Sequence, residues 1–332
     1  MPPPRAPLPR DTGFQPVLSP LLHQRHLLSR ILFLLYLLTL PSILFVIPGC
    51  CPKCPDPNAF HPNPPLRSVS DVISAINANN QKIPTLWATL NYTATIKDTK
   101  GRPHSITSDD GTLLFMRPNR FRLVGNKEFV GPVFDMGVND TEFWLEVKPT
   151  NAMYSATFAQ LAQASGTRIN FPIRPDLVAE VLGVSTFNQN LLDPPFPIMR
   201  YEASTDSYVF LFARQGPHKY FAQREIWYDR TTLRPRRLVL YDLEGSPQLD
   251  ARLASDKPVQ VSDQPREQWP VIAGDFKLFF PDTGNHMEFS LKDIRLYREM
   301  RRTRIPNEGS FDKPDITGTD VHQEPIPGLN VE

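Results

Sequence analysis

Residues 86–97 read "LWATLNYTATIK", and this stretch decides the fold. Leu86, Ala88, Leu90, Tyr92, Ala94 and Ile96 alternate with Thr89, Asn91, Thr93, Thr95 and Lys97, and only Trp87 breaks the pattern. Side chains of a strand point alternately to opposite faces, so this period of two gives one apolar face and one wet face. "TEFWLEVK" (141–148) repeats it with Phe143, Leu145 and Val147, and "HMEFSLKDI" (286–294) with Met287, Phe289 and Leu291. Further strands are expected over 111–117, 120–125, 132–138, 152–157, 198–204, 207–214, 221–228, 235–244, 248–254 and 271–280. Pro, Gly, Asn and Asp in "RPN" (117–119) and "DTGN" (282–285) supply the turns between them. Short strands at this spacing make antiparallel meanders.

Helices are few. "SVSDVISAINANN" (68–80) opens on Ser/Asp caps and puts Val72, Ile73 and Ile76 on one face. "RPDLVAEVLGV" (174–184) has Pro in its first turn and Gly183 near its end. "ATFAQLAQAS" (156–165) is a third candidate. The chain has 332 residues and a net charge of +1, which excludes a broad basic field for nucleic acid. Its 36 prolines crowd into 2–20, 41–65 and 306–327. Four regions follow: an extension and leader (1–49), a Cys/Pro-rich tether (50–67), a folded domain (68–300) and a tail (301–332) expected to be disordered.

The leader carries Arg25, His26 and Arg30 before the uncharged run "ILFLLYLLTLPSILFVI" (31–47). The run is short for a span, holds Pro41 and ends at Pro48-Gly49. "IPGC" (47–50) resembles a bacterial lipobox, with Pro48 where a small residue is usual. That resemblance implies diacylglycerol on the sulfur of Cys50, cleavage before it and acylation of the new N-terminus. An uncleaved anchor and ordinary secretion are the alternatives. All three place the residues after 50 outside the cytoplasm. The remaining cysteines, Cys51 and Cys54, are too few for a structural zinc, and no H-E-x-x-H occurs, so no metal or cofactor is expected. The pair is either free or a small local disulfide.

The order of pieces resembles the LolA/LolB-like family. It rests on the opening helix before "LWATLNYTATI", "GTLLFMRPNRFRL" (111–123), "PDLVAEVLG" (175–183), "REIWYDRTTLRPRRLVLYDLEG" (224–245) and "FPDTGNHMEFSLKDIRL" (280–296). The resemblance covers about residues 70–298. It implies a mainly β fold, a strongly curved antiparallel half-barrel of about eleven strands capped by a few short helices. It also implies a lipid-anchored, periplasm-facing receptor or carrier, with membrane, acyl chains or lipoproteins, and a soluble periplasmic carrier as partners. Cys51, rather than an aspartate, after the lipidated residue implies the outer membrane. The alternative is an anchored scaffold or interaction domain with a filled core.

Ten residues on the apolar registers are the candidate acyl-chain lining: Leu90, Tyr92, Phe115, Leu123, Phe143, Leu145, Phe276, Leu278, Phe289 and Leu291. In "NQNLLDPPFPIM" (188–199) the prolines 194, 195 and 197 forbid a helix or central strand. Leu191, Leu192 and Phe196 therefore belong to a loop that either packs over the cavity mouth or touches the bilayer. "KDTKGRPHSITSDD" (97–110) is a polar connection. "RPRR" (234–237) forms a wet basic face, with anionic head groups as its alternative partner.

Catalysis finds little support in the chain. "DTG" at 11–13 and 282–284 resembles the paired loops of aspartic proteases, but Asp11 precedes the export signal, so the two carboxylates cannot share a proton. No G-x-S-x-G, P-loop or Rossmann pattern occurs. A non-enzyme is expected, with a hydrolase carrying an unrecognised site as the remaining alternative.

Overall fold

The computed structural model describes residues 65–97, 101–127, 131–163, 171–216, 218–301, 305–326 and 329. The leader, Cys50 and the tether up to residue 64 lie outside the described residues.

One helix opens the domain, α1 (Val69–Asn80), with Ser68 Oγ accepting from the backbone N–H of Asp71 at its N-terminus. Six antiparallel strands follow: β1 (Thr85–Lys97), β2 (Pro103–Met116), β3 (Arg120–Lys127), β4 (Gly131–Val138), β5 (Glu142–Val147) and β6 (Ala152–Thr157). Two short helices interrupt them, α2 (Phe158–Gln163) and α3 (Pro175–Val181). The second half holds β7 (Phe196–Glu202), β8 (Ser207–Gln215), β9 (Tyr220–Asp229), β10 (Pro235–Tyr241), β11 (Pro247–Ala254), β14 (Asp275–Phe280) and β15 (Asn285–Arg295). A separate two-stranded ribbon pairs β12 (Lys257–Pro258) with β13 (Val271–Ile272). A last short strand is β16 (His322–Gln323).

The main sheet has fourteen strands in the order β16-β6-β5-β4-β3-β2-β1-β15-β14-β11-β10-β9-β8-β7. It is curved and does not close into a barrel. Every pairing in it is antiparallel except that of β16 with β6. In β1 burial alternates in the register of the sequence, with Leu86, Ala88, Leu90, Tyr92 and Ala94 buried. One apolar cluster joins this inner face to Val72, Ile73 and Ile76 of α1 and to Leu177, Val178 and Val181 of α3. The helices thus close the side of the sheet that would otherwise expose its apolar register.

Three differences from expectation have physical causes, and a fourth is one of count. The polar stretch 97–110 is largely strand: β1 runs to Lys97 and β2 starts at Pro103, pairing Thr95 with Ser105 and Thr93 with Thr107. This arm of the hairpin is exposed, so it needs no apolar register and leaves no period to read. The sheet also has fourteen strands rather than about eleven.

The second difference is the tail. Residues 305–326, expected to be disordered, dock on the sheet instead. Phe311 is buried, Arg122 donates to Ser310 O (2.9 Å), Asn139 donates to Phe311 O (3.3 Å) and Lys313 pairs with Glu142 (2.7 Å). β16 then adds to β6, and Ile326 and Leu329 enter the main core. The tail buries few apolar residues, but it satisfies an exposed strand edge, which composition does not reveal.

The third difference concerns Phe196 and Pro197, expected in the loop, which join the strand expected over 198–204 as the start of β7. β7 is an edge strand, where Pro197 can sit without breaking a ladder on both sides.

Candidate functional site: the inner face and its rim

The ten residues expected to line a cavity all lie in the one core cluster, and none is more than 4% exposed. They touch one another closely. The rings of Phe276 and Phe289 stack at 4.6 Å, and Tyr92 meets Phe134 edge-on at 4.8 Å. Tyr92 donates its hydroxyl to Asn126 O (3.1 Å), and burial pushes its pKa up to about 12. Two glycines allow this fit. A Cβ at Gly111 would come within 2.9 Å of Leu90 Cγ, and one at Gly125 within 2.3 Å of the Phe134 ring. The large side chains of β1 and β4 thus lie over glycines on β2 and β3, and the curved interior is filled at that point.

The other half of the inner face is closed by the segment after α3. Phe187 stacks on Phe212 (5.0 Å) and meets Tyr228 edge-on (6.2 Å). Arg224, on the inner register of β9, lies 4.5 Å over the Phe212 ring and pairs with Glu180 of α3 (2.9 Å). Hydrogen bonds fasten this plug. Asn77 donates to Phe187 O and accepts from Phe187 N, both at 2.8 Å. Asn80 donates to Gly183 O (2.9 Å) and Ser185 O (2.8 Å). Arg117 donates to Asn80 O (2.6 Å), Val184 O (2.7 Å) and Ile83 O (3.0 Å). These asparagines continue, at helical spacing, the buried face of Val72, Ile73 and Ile76 on α1. Only their alignment with the 183–187 carbonyls gives them a role. A cleft of 490 Å³ borders the plug between Phe115, Arg117, Pro118, Asn119 and 184–186.

The rim loop separates the three residues grouped from sequence. Leu191 packs against the core, Leu192 is 82% exposed, and Phe196 is half-buried, 6.3 Å from the exposed Tyr220 ring. The loop is held by its own polar side chains. Asn188 and Asn190 both donate to Asp193 (2.9 and 2.7 Å), Asn190 N donates to Asn188 Oδ1 (2.9 Å), and Leu192 N donates to Asn190 Oδ1 (3.2 Å). A loop fixed by its own side chains therefore holds one large apolar side chain, Leu192, in water.

The basic stretch 234–237 also divides. Arg237 pairs with Asp250 (2.7 Å) and lies 5.6 Å over Trp227, whose other side carries Arg200 at the same distance. Arg236 pairs with Asp256 (2.9 Å). Arg234 instead turns into a cavity of 230 Å³ below α1. No group of three or more metal-ligating side chains occurs among the described residues. No helix among them is long and apolar enough to cross a membrane.

No family model matches the chain, and no curated protein matches it in sequence. Solved structures do. A putative outer membrane lipoprotein-sorting protein domain from Vibrio parahaemolyticus is 13% identical with a TM-score of 0.44, over 71% of this chain and 95% of that one. A DUF1329 family protein from Desulfovibrio piger is 9% identical with a TM-score of 0.46, over 73% and 97%. A LolA superfamily protein from Nitrosomonas europaea is 9% identical with a TM-score of 0.41, over 73% and 99%. The likeness is one of fold, and at such identities what those proteins bind remains a property of those proteins.

Proposed function

We propose that this chain is a non-catalytic, lipid-anchored protein of a bacterial envelope, held by Cys50 and facing the periplasm. Its sheet domain takes up or hands on acylated molecules in a LolB-like manner. The observation that supports this reading most is the pairing of an almost wholly apolar inner face with a rigid rim loop that exposes Leu192. Entry of an acyl chain requires the plug of residues 182–188 to part from α1. A palmitoyl chain gains roughly 12 kcal/mol on full burial, at about 0.8 kcal/mol per CH₂. Releasing the plug costs about 1 kcal/mol for each hydrogen bond lost, so the exchange is favourable where the chain refills the parted surface. The near-complete burial of the ten lining residues favours a second reading, a filled interaction domain on the same anchor.

Native mass spectrometry of the full chain, purified in a mild detergent, separates the two. The expected result is a chain starting at Cys50 with a diacylglycerol adduct and a co-purifying acyl lipid. A lipidated chain with no retained lipid leaves only the interaction domain, and an unmodified Cys50 removes the anchor.

The rim loop is tested by single substitutions. Leu192→Ser is expected to change unfolding stability by no more than about 0.5 kcal/mol while lowering co-sedimentation with liposomes. Leu191→Ser, which opens the core, is expected to cost about 1–3 kcal/mol. Liposome binding unaffected by Leu192→Ser would remove the loop from the contact.

A further inference from the structure

The turn from β9 to β10 carries four arginines within a few residues, and three of them have carboxylate partners. Arg230 holds Asp206 (2.6 Å), Arg236 holds Asp256 through two bonds (2.9 Å each), and Arg237 holds Asp250 (2.9 and 2.7 Å). Arg234 has none among the described residues. The one hydrogen bond of its side chain among them is a long one to Val271 O (3.4 Å). Asp256, the carboxylate whose field reaches it, already has both oxygens on Arg236. Arg234 is half-buried, and burial draws its guanidinium below the ordinary value. A guanidinium half withdrawn from water without a counter-charge is costly unless something else supplies one.

The cavity beside it has the right make-up. Its 230 Å³ are lined by the apolar Ile76, Leu182, Ile272 and Ala273 and by the polar Arg234, Arg67 and Thr231. Arg67 is exposed and has no carboxylate partner among the described residues. The Thr231 hydroxyl makes no hydrogen bond among the described residues, whereas that of Thr232 is spent on Asp229 (2.8 Å). Asp229 also accepts from the backbone N–H of Thr231 (3.1 Å) and Thr232 (2.7 Å), so the turn that presents Arg234 is fixed. Tyr228 forms part of the wall and is buried. The space suits a small anion with a short organic remainder rather than a long chain. Planar guanidinium forks favour tetrahedral oxyanions, which they can hold through two bonds.

We infer that the cavity between α1 and the β9–β10 turn is a binding site for a phosphate monoester or diester, held by Arg234 with Arg67 at the mouth. The site shares Leu182 and Tyr228 with the plug and the inner face, but it does not rest on the acyl-chain reading. The phosphate can belong to a soluble metabolite or to a phospholipid head group, and the two sources present the same chemistry to the arginines.

Calorimetric titration of the full chain in detergent with glycerol 3-phosphate, and co-sedimentation with phosphatidylglycerol against phosphatidylcholine vesicles, test the inference. Glycerol 3-phosphate is expected to bind, and Arg234→Gln to weaken it about ten- to hundredfold, the value of a charged hydrogen-bonded contact. Arg67→Gln, at an exposed position where folding is not at stake, is expected to weaken it severalfold. Binding of phosphatidylglycerol vesicles alone, lost in both variants, places the phosphate on a lipid. Either result supports the site. No binding of either probe, or binding that both variants retain in full, overturns it.

Discussion

Leu90→Asp is expected to leave the sheet domain unfolded at ambient temperature. Leu90 is fully buried, sits opposite Leu291 across β1 and β15, and lies over Gly111 on the other side. An aspartate there has no cation within the apolar cluster and no path to water. Such a buried unpaired charge costs about 5 kcal/mol or more, against a total stability of about 5–15 kcal/mol for an ordinary domain. Phe289→Glu is expected to behave alike, because it breaks the stack on Phe276. Urea unfolding followed by circular dichroism measures both. An aspartate at position 90 tolerated for less than about 1 kcal/mol would mean that the interior is wet or open, contrary to its packing.

Arg117→Ala carries the second large effect, and it bears on function. One side chain donates to carbonyls of α1's end, the following turn and the plug. Its removal leaves Asn80 O, Ile83 O and Val184 O short of a donor beside the 490 Å³ cleft. The loss is expected to be about 3 kcal/mol, at roughly 1 kcal/mol for each bond of a partly exposed group. Arg117→Lys keeps the charge but not the fork, so it is expected to recover only part. If acyl chains enter by displacing the plug, Arg117→Ala also speeds the uptake of a fluorescent fatty acid while lowering the unfolding midpoint. A lowered midpoint with unchanged uptake favours the filled interaction domain.

How much could be read in advance follows from which forces leave a periodic mark. β1, β5 and β15 were legible because each buries one face, so composition alternates residue by residue. The same alternation puts the ten residues on one register, and all ten lie in the one core cluster, since a shared face needs only shared register. It could not tell a packed interior from a hollow one, because that depends on how far the sheet curls and on Gly111 and Gly125 opposite Leu90 and Tyr92. Contacts between distant segments were silent. Nothing in the spacing of Asn77 and Asn80 shows that they meet the plug's backbone. The tail looked disordered because its docking rests on Phe311, Ile326 and Leu329 and on a strand edge rather than on a long apolar run. Arg234 differs from Arg236 only by where the β9–β10 turn aims it.

The place of β1 in the sheet has a consequence for how the molecule is made. β1 is bonded to its immediate successor β2 on one side and to β15 on the other, so Tyr92 stands opposite Phe289 across almost the whole length of the domain. Within the sheet, the two halves, β2 to β6 and β7 to β14, are joined through that seam. A chain emerging from its N-terminus can zip the first half as hairpins, yet β1 keeps a bare edge and an uncovered apolar face until residue 295 is available. Loop closure over such a span is entropically costly and slow. The whole sheet domain is therefore synthesised before the protein can hide its most adhesive strand, and during that interval the nascent chain depends on being held apart from its neighbours.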